Sequence, residues 1–327
     1  MRPWIKNLLQ FFLGVGLAAG LLYLTYKDTD LNELLEMLLR ADGFWLLMNG
    51  VFLLLSYVLR ALRWKMMLDN AGYPVKTGTT ILSVIIAYLV NTATPRLGEV
   101  ARCSAIYRTD RVPVAGSLGT VLTERVIDLI VLLLGVGVIV LFELDRLSYF
   151  LEGDSGGDTS GLVKLIIALG VAAVLGLGAL IWILRAENAT GFIGKVRGFI
   201  MQMLEAARSI FKLDRPWLFL TYTVLIWVSL VLMMYFVLLA LPESSGLGIY
   251  YGTLLLFIGG IGWALPAPGG MGSTHIIVTT LFVAFGHSET LGGAVAALSN
   301  GATTVFTVFF GAVAVIMFFF VRTKNSP

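Results

Sequence analysis

Pro266-Ala-Pro-Gly-Gly-Met-Gly-Ser-Thr-His275 cuts the apolar run Tyr251–Leu265 short, after which the chain returns to apolar sequence. Asn91-Thr-Ala-Thr-Pro-Arg-Leu-Gly-Glu99 does the same to the run Thr79–Val90. A Pro/Gly break in a hydrophobic segment frees backbone N–H and C=O groups that lipid cannot satisfy. Such backbone sits where protein buries it or a polar cavity hydrates it. Each break is followed by a membrane-length stretch. Two breaks at matching places point to a transporter-like binding site between repeats.

Outward from the breaks, the composition agrees. Of 327 residues, 58% are hydrophobic and 13% charged, with mean hydropathy +0.89; a soluble domain carries about 25% charged residues. Long apolar stretches recur, which predicts an all-α polytopic membrane protein. The whole chain, 1–327, reads as a single integral membrane domain, with no polar segment long enough for a soluble one. The first apolar run, Ile5–Tyr26, is too long for a signal-peptide core and reads as retained. The lone Cys103 excludes an intrachain disulfide, and with only His275 and His287 a zinc or iron site is not expected. No cofactor and no nucleic-acid partner is implied.

Membrane-entering segments are predicted at about 5–26, 44–62, 77–94, 113–143, 161–184, 217–241, 250–287 and 289–321. The intervening loops sort by charge, and that sets the topology. Basic residues gather at Arg2 and Lys6; at Arg60, Arg63, Lys65 and Lys76; at Arg96, Arg102, Arg108 and Arg111; along Arg185–Arg215; and at Arg322 and Lys324. The alternate loops hold mostly acids: Asp28–Asp42, Glu143–Asp158, Glu243 and Glu289. The positive-inside rule then puts both termini in the cytoplasm, for a multi-pass protein of the cytoplasmic membrane.

With Lys76 and Arg96–Arg111 on one side, segment 77–94 must enter and return. Segment 250–287 must do the same from the other face, turning at Pro266–Gly272. The expected architecture is about six full spans plus two re-entrant broken-helix hairpins in an inverted repeat, with blocks at about 75–143 and 249–321. The alternative is that 77–94 is an ordinary span and the charge rule fails locally. Asp30–Arg40 and a cytoplasmic linker at about 188–213 read as amphipathic helices, the linker basic enough to lie against anionic headgroups. Glu152–Gly161 reads as an external loop.

The chemistry concentrates in two places. Thr123-Glu124-Arg125-Val126-Ile127-Asp128 lies well inside an over-long helix. Glu124 and Asp128 share a face at i,i+4, and Arg125 is offset by about 100°. Charges facing lipid at mid-membrane cost ~2.5–3.5 kcal/mol or more each, so these should face the interior and pair. Arg96, Glu99 and Arg102 are the expected partners, with Glu99 and Arg102 at i,i+3. Such a group either binds an anionic headgroup or is a salt-bridge network that holds the hairpin. At the second break, Gly269, Gly270 and Gly272 permit positive φ and close backbone approach. If Ser273 caps a half-helix, the free N–H groups would attract an anion. His275 in its first turn is either a ligand or proton group or only a hydrogen-bonding residue. Asn300 stands at a depth comparable to Glu124. Arg60 and Arg63-Trp64 read as anchors at the cytoplasmic end of the second span.

These residues carry a resemblance. Arg60-x-x-Arg63-Trp64, Pro95-Arg96-x-Gly98-Glu99-x-x-Arg102, Glu124-Arg125-x-x-Asp128 and Pro266-x-Pro268-Gly269-Gly270-x-Gly272 occur in the order of the lysylphosphatidylglycerol synthase transmembrane-type (flippase-like domain) family. The sequence resembles that family over nearly its whole length. The resemblance implies a lipid translocator, which in the aminoacyl-lipid synthases moves lysyl-phosphatidylglycerol while a separate soluble domain makes it. That soluble domain is missing here, so transport of another lipid is expected rather than synthesis. One common form of the family has Glu at position 275 and Arg at 300. His275 and Asn300 therefore shift the charged chemistry to the first block.

The expected function is movement of a polar-headed, anionic phospholipid or lipid-linked precursor. No GxxxxGK[ST] motif is present, so a proton or ion gradient, or downhill flow, would drive it. An intramembrane lipid-headgroup transferase or hydrolase, with Glu124 or Asp128 as general base, is the enzyme alternative. A small-solute carrier is the third. The sequence leaves the oligomeric state open.

Overall fold

The computed structural model describes residues 22, 23, 25, 31–94, 97–143, 213–264 and 270–321. The expected segment 5–26 apart from residues 22, 23 and 25, the segment 161–184, the loop 152–161, and the linker 188–213 up to residue 212 lie outside them, as do Arg96 and Gly269. Every regular element among the described residues is a helix. In chain order these are α1 (Leu31–Leu39), α2 (Gly43–Asn70), α3 (Thr77–Ala93), α4 (Leu97–Asp110), α5 (Val114–Phe142), α6 (Pro216–Ala240), α7 (Ile249–Ala264), α8 (Ser273–Ala284) and α9 (Glu289–Phe319).

Helices α2, α5, α6 and α9 are long and apolar enough to cross a bilayer. The protein is a polytopic α-helical membrane protein. Large apolar side chains such as Leu133, Leu134, Phe142, Val305, Phe309 and Ile316 are exposed. Water would penalise that surface, and lipid does not.

Both breaks are real. Helix α3 ends at Ala93 and α4 starts at Leu97; α7 ends at Ala264 and α8 starts at Ser273. At ~1.5 Å per residue none of these four reaches the ~30 Å hydrocarbon thickness. Each is packed as a hairpin, α3 on α4 and α7 on α8. The order short, short, long therefore occurs twice: α3, α4, α5 and then α7, α8, α9.

The chain groups into two compact units, Met1–Val121 with Trp217–Pro327, and Leu122–Pro216. In the first, α9 packs against α3, α8, α2 and α1. Helices α2 and α6 run antiparallel, because Trp45 stacks on Phe236, Asn49 Nδ2 donates to Met233 O at 2.9 Å, and Arg63 reaches Thr223. A large apolar core gathers Leu53, Val237, Leu238, Phe282, Ala294 and Val295, and a smaller one surrounds Trp64, Val84, Cys103 and Ile106. In the second unit the described part is chiefly the body of α5, from Leu122 onward.

The α3–α4 hairpin is closed by one side chain and one absence of a side chain. Asn91 Oδ1 accepts from the Gly98 N–H at 2.8 Å, satisfying a donor at the start of α4. A Cβ on Gly98 would collide with the carbonyl oxygen of Ala87 and lie 2.7 Å from Asn91 Cγ. Only glycine allows α3 and α4 to meet so closely.

Candidate functional site

The second break is built from backbone. Gly270 and Gly272 adopt φ of 68° and 81°, which side-chain-bearing residues rarely tolerate. The cap of α8 is Gly272, not Ser273 as the sequence suggested. Ser273 is the first helical residue, and its hydroxyl is drawn back into the hairpin, near Gly262 O at 2.8 Å and Gly270 O at 3.1 Å. The break frees those carbonyls, so they win the hydroxyl over the helix end. His275 does close the cap. Its Nδ1 accepts from the Gly272 N–H at 3.3 Å, and the ring is buried.

The glycines serve the hairpin itself. A Cβ on Gly270 would stand 2.8 Å from Thr274 Oγ1 and 3.2 Å from the Trp263 ring. Two buried hydroxyls of α8, Thr274 Oγ1 and Thr279 Oγ1, have no hydrogen-bond partner among the described residues.

The first hairpin supplies charge. Arg102 is 2% exposed on the inner face of α4, and its guanidinium lies 4.7 Å from the centroid of Trp64. Trp64 is completely buried and donates from Nε1 to Thr120 Oγ1 at 2.9 Å. Arg63 is completely buried too; it donates to Thr223 Oγ1 at 3.2 Å and lies 5.6 Å from the Phe219 ring. Arg60 is 8% exposed.

Arg60, Arg63 and Trp64 are therefore interior groups rather than interfacial anchors. The sequence misplaced them because hydropathy falls after residue 62, although the helix continues to Asn70. Lys65 and Asp69 carry it on through an i,i+4 pair at 2.6 Å. Glu99 is half-buried one turn before Arg102. The aromatic faces stabilise these cations where water is excluded, by ~0.5–2 kcal/mol each.

A polar stripe, of which the sequence reading singled out Asn300 alone, runs along α9. Ser299, Asn300, Thr303 and Thr307 are all buried. Ser299, Thr303 and Thr307 donate back to carbonyls of their own helix, and Tyr57 Oη meets Thr307 Oγ1 at 2.8 Å. Their spacing of four residues was the available signal. The neighbouring Val, Phe and Ala residues hid it in any average of hydropathy.

In α5, Glu124 is fully buried, and Asp128, one turn further on, is half-buried. The Glu124 carboxylate lies 3.5 Å from Arg125 Nη2, and the Arg125 side chain is 41% exposed. Residues adjacent in a helix point about 100° apart, so Arg125 must curl back to make this contact. Glu124 and Asn300 stand at nearly the same distance from the starts of α5 and α9. Among the described residues no cluster of His, Cys, Asp and Glu could hold a metal ion.

The family described as the lysylphosphatidylglycerol synthase TM region matches residues 11–311. The chain belongs to this family. It is similar to a UPF0104 membrane protein of Pyrococcus horikoshii, 22% identical over 319 residues, covering 90% of this chain and 92% of the relative. It is also similar to the glycosyltransferase AglD of Haloferax volcanii, 25% identical over 314 residues and 87% of this chain. The match spans half the length of AglD. No solved structure matches. In this member of the family, the arginines, the glycine break and the α5 acids just described fall on the motifs that carried the resemblance.

Proposed function

We propose that this chain is a lipid translocator of the cytoplasmic membrane, taking an anionic phospholipid or lipid-linked precursor by its headgroup. The observation that carries this reading is the buried cationic set Arg60, Arg63 and Arg102 inside an apolar helical unit. Charge at membrane depth is costly, and where it occurs it marks substrate paths. Arg102, Glu99, Gly270, Gly272, His275 and Asn300 are the headgroup-binding residues of this reading, with Arg96 and Gly269 beside them in sequence. Glu124, Arg125 and Asp128 supply the charged face of α5. A proton or ion gradient, or downhill flow, drives the movement.

Proteoliposomes with fluorescently tagged phosphatidylglycerol test this. Dithionite should quench inner-leaflet label faster than in protein-free vesicles, and equal rates would overturn the reading. The glycosyltransferase name of one relative favours a second reading, transfer on a lipid headgroup within the membrane. Under that reading the tagged lipid changes chromatographic mobility without changing leaflet. Uptake of glycerol phosphate alone would instead indicate a solute carrier.

The same proposal makes the two hairpins an inverted repeat, entering from opposite faces, with both termini cytoplasmic. Its support is the repeated order of short, short and long helices together with the sorted loop charges. Cysteine placed at the exposed Arg108 should label only from the cytoplasm, and at the exposed Glu243 only from outside. Native Cys103 is buried and contributes little background. Labelling of position 108 from outside would remove the inversion.

A further inference from the structure

We propose that the groove between the C-terminal halves of α4 and α9 is a docking site for an anionic phospholipid, with Arg108 holding the phosphate diester and Phe318 and Phe319 walling an acyl chain. The groove encloses about 300 Å³ and is lined by Ile86, Ala101, Ser104, Ala105, Arg108 and the α9 residues Val315, Phe318 and Phe319. Ala101, Ser104, Ala105 and Arg108 follow the i, i+3, i+4, i+7 spacing of one helix face. Three small side chains hollow that face, and the arginine closes its outer end.

Charge selects the occupant. Arg108 is exposed, and among the described residues it has no hydrogen bond and no carboxylate partner. Its guanidinium lies 5.8 Å from the Phe318 ring centroid, within cation–π range. With no carboxylate on it, its planar set of N–H donors suits a bidentate acceptor, which a phosphate diester provides. Arg111, three residues on in sequence, is also exposed. Phe319 and Phe320 are 70% and 82% exposed, an apolar surface that suits lipid and not water. A soluble anion would use the arginine and leave these walls empty.

This site does not rest on the transport reading, because a lipid held here can be structural or can be on its way to the interior. Native mass spectrometry of the purified protein, equilibrated with phosphatidylglycerol and phosphatidylcholine of equal chain length, tests it. Wild type should retain phosphatidylglycerol in preference. Arg108→Gln, at an exposed position, should lower that preference about fivefold. Ser104→Phe, also exposed, fills the groove and should reduce retention of both lipids while the charge stays. Unchanged preference in Arg108→Gln would overturn the site. So would full retention in Ser104→Phe, or displacement of the lipid by glycerol phosphate alone. Tagged-lipid movement measured on the same variants separates the two proposals, since loss of retention with normal movement leaves the translocator intact.

Discussion

Gly98→Ala should cost this protein at least ~3 kcal/mol of stability and lower its melting temperature by roughly 5–10 °C. One methyl group suffices, because the collision is at Cβ itself and its partner is the backbone carbonyl oxygen of Ala87. Backbone cannot swing aside as a side-chain end can. Relief would require α3 and α4 to separate, which would also stretch the bond from the Gly98 N–H to Asn91 Oδ1. A buried donor left unmade adds ~1–3 kcal/mol. Arg102 lies one turn along α4, so separation would also pull the guanidinium off Trp64.

Two controls isolate the cause. Gly301→Ala, in the body of α9 with nothing near its Cβ position, should be neutral or stabilising by up to ~1 kcal/mol through helix propensity. Gly50→Ala would meet the Phe306 ring first, a side chain rather than backbone, and should cost less than Gly98→Ala. A melting temperature for Gly98→Ala equal to wild type would show that the hairpin is not held at this contact.

That closure explains how much of the architecture was legible in the sequence. The breaks at Thr94–Arg96 and Pro266–Gly272 were visible because proline and glycine end helices by covalent geometry, whatever surrounds them. Long helices were visible because lipid demands ~20 apolar residues in a row. The interior was harder to read. Arg63 and Trp64 looked interfacial because their burial depends on Phe219, Thr223 and Thr120, which are distant in sequence.

Ser273 looked like a cap because serine usually is one. The free carbonyls of Gly262 and Gly270 draw its hydroxyl instead. The hydroxyls of α9 looked inert because each can bond its own helix, so nothing in their local sequence distinguishes a lipid-facing threonine from one lining a polar interior. What decides these cases is which helix packs against which. That information is spread over residues 57, 219 and 307 rather than held in any one stretch.

Glu124→Gln should lower lipid movement by roughly 10- to 150-fold, the loss expected if the carboxylate makes a charged hydrogen bond worth ~1.5–3 kcal/mol to a coupling proton carrier or ion during movement. Glu124 has no exposed surface, and its carboxylate sits 3.5 Å from the neighbouring guanidinium of Arg125. Adjacent helical residues do not face each other, so this contact is made only by bending the longer side chain back. Glutamine keeps the shape and an acceptor oxygen but removes the charge that attracts Arg125. The fold should tolerate this better than Glu124→Ala, which empties a buried volume.

Asp128→Asn, on the same face one turn on, should act in the same direction, and more weakly because Asp128 is only half-buried. Breaking a buried pair can cost ~3–5 kcal/mol, so loss of the fold competes with loss of function. Melting temperature and monodispersity must therefore be read beside transport. A Glu124→Gln protein that is folded yet idle places the charge in the translocation path. One that is folded and fully active makes the carboxylate a structural partner of Arg125. One that fails to accumulate, while Arg125→Lys accumulates and moves lipid, assigns the charge to holding α5 in place.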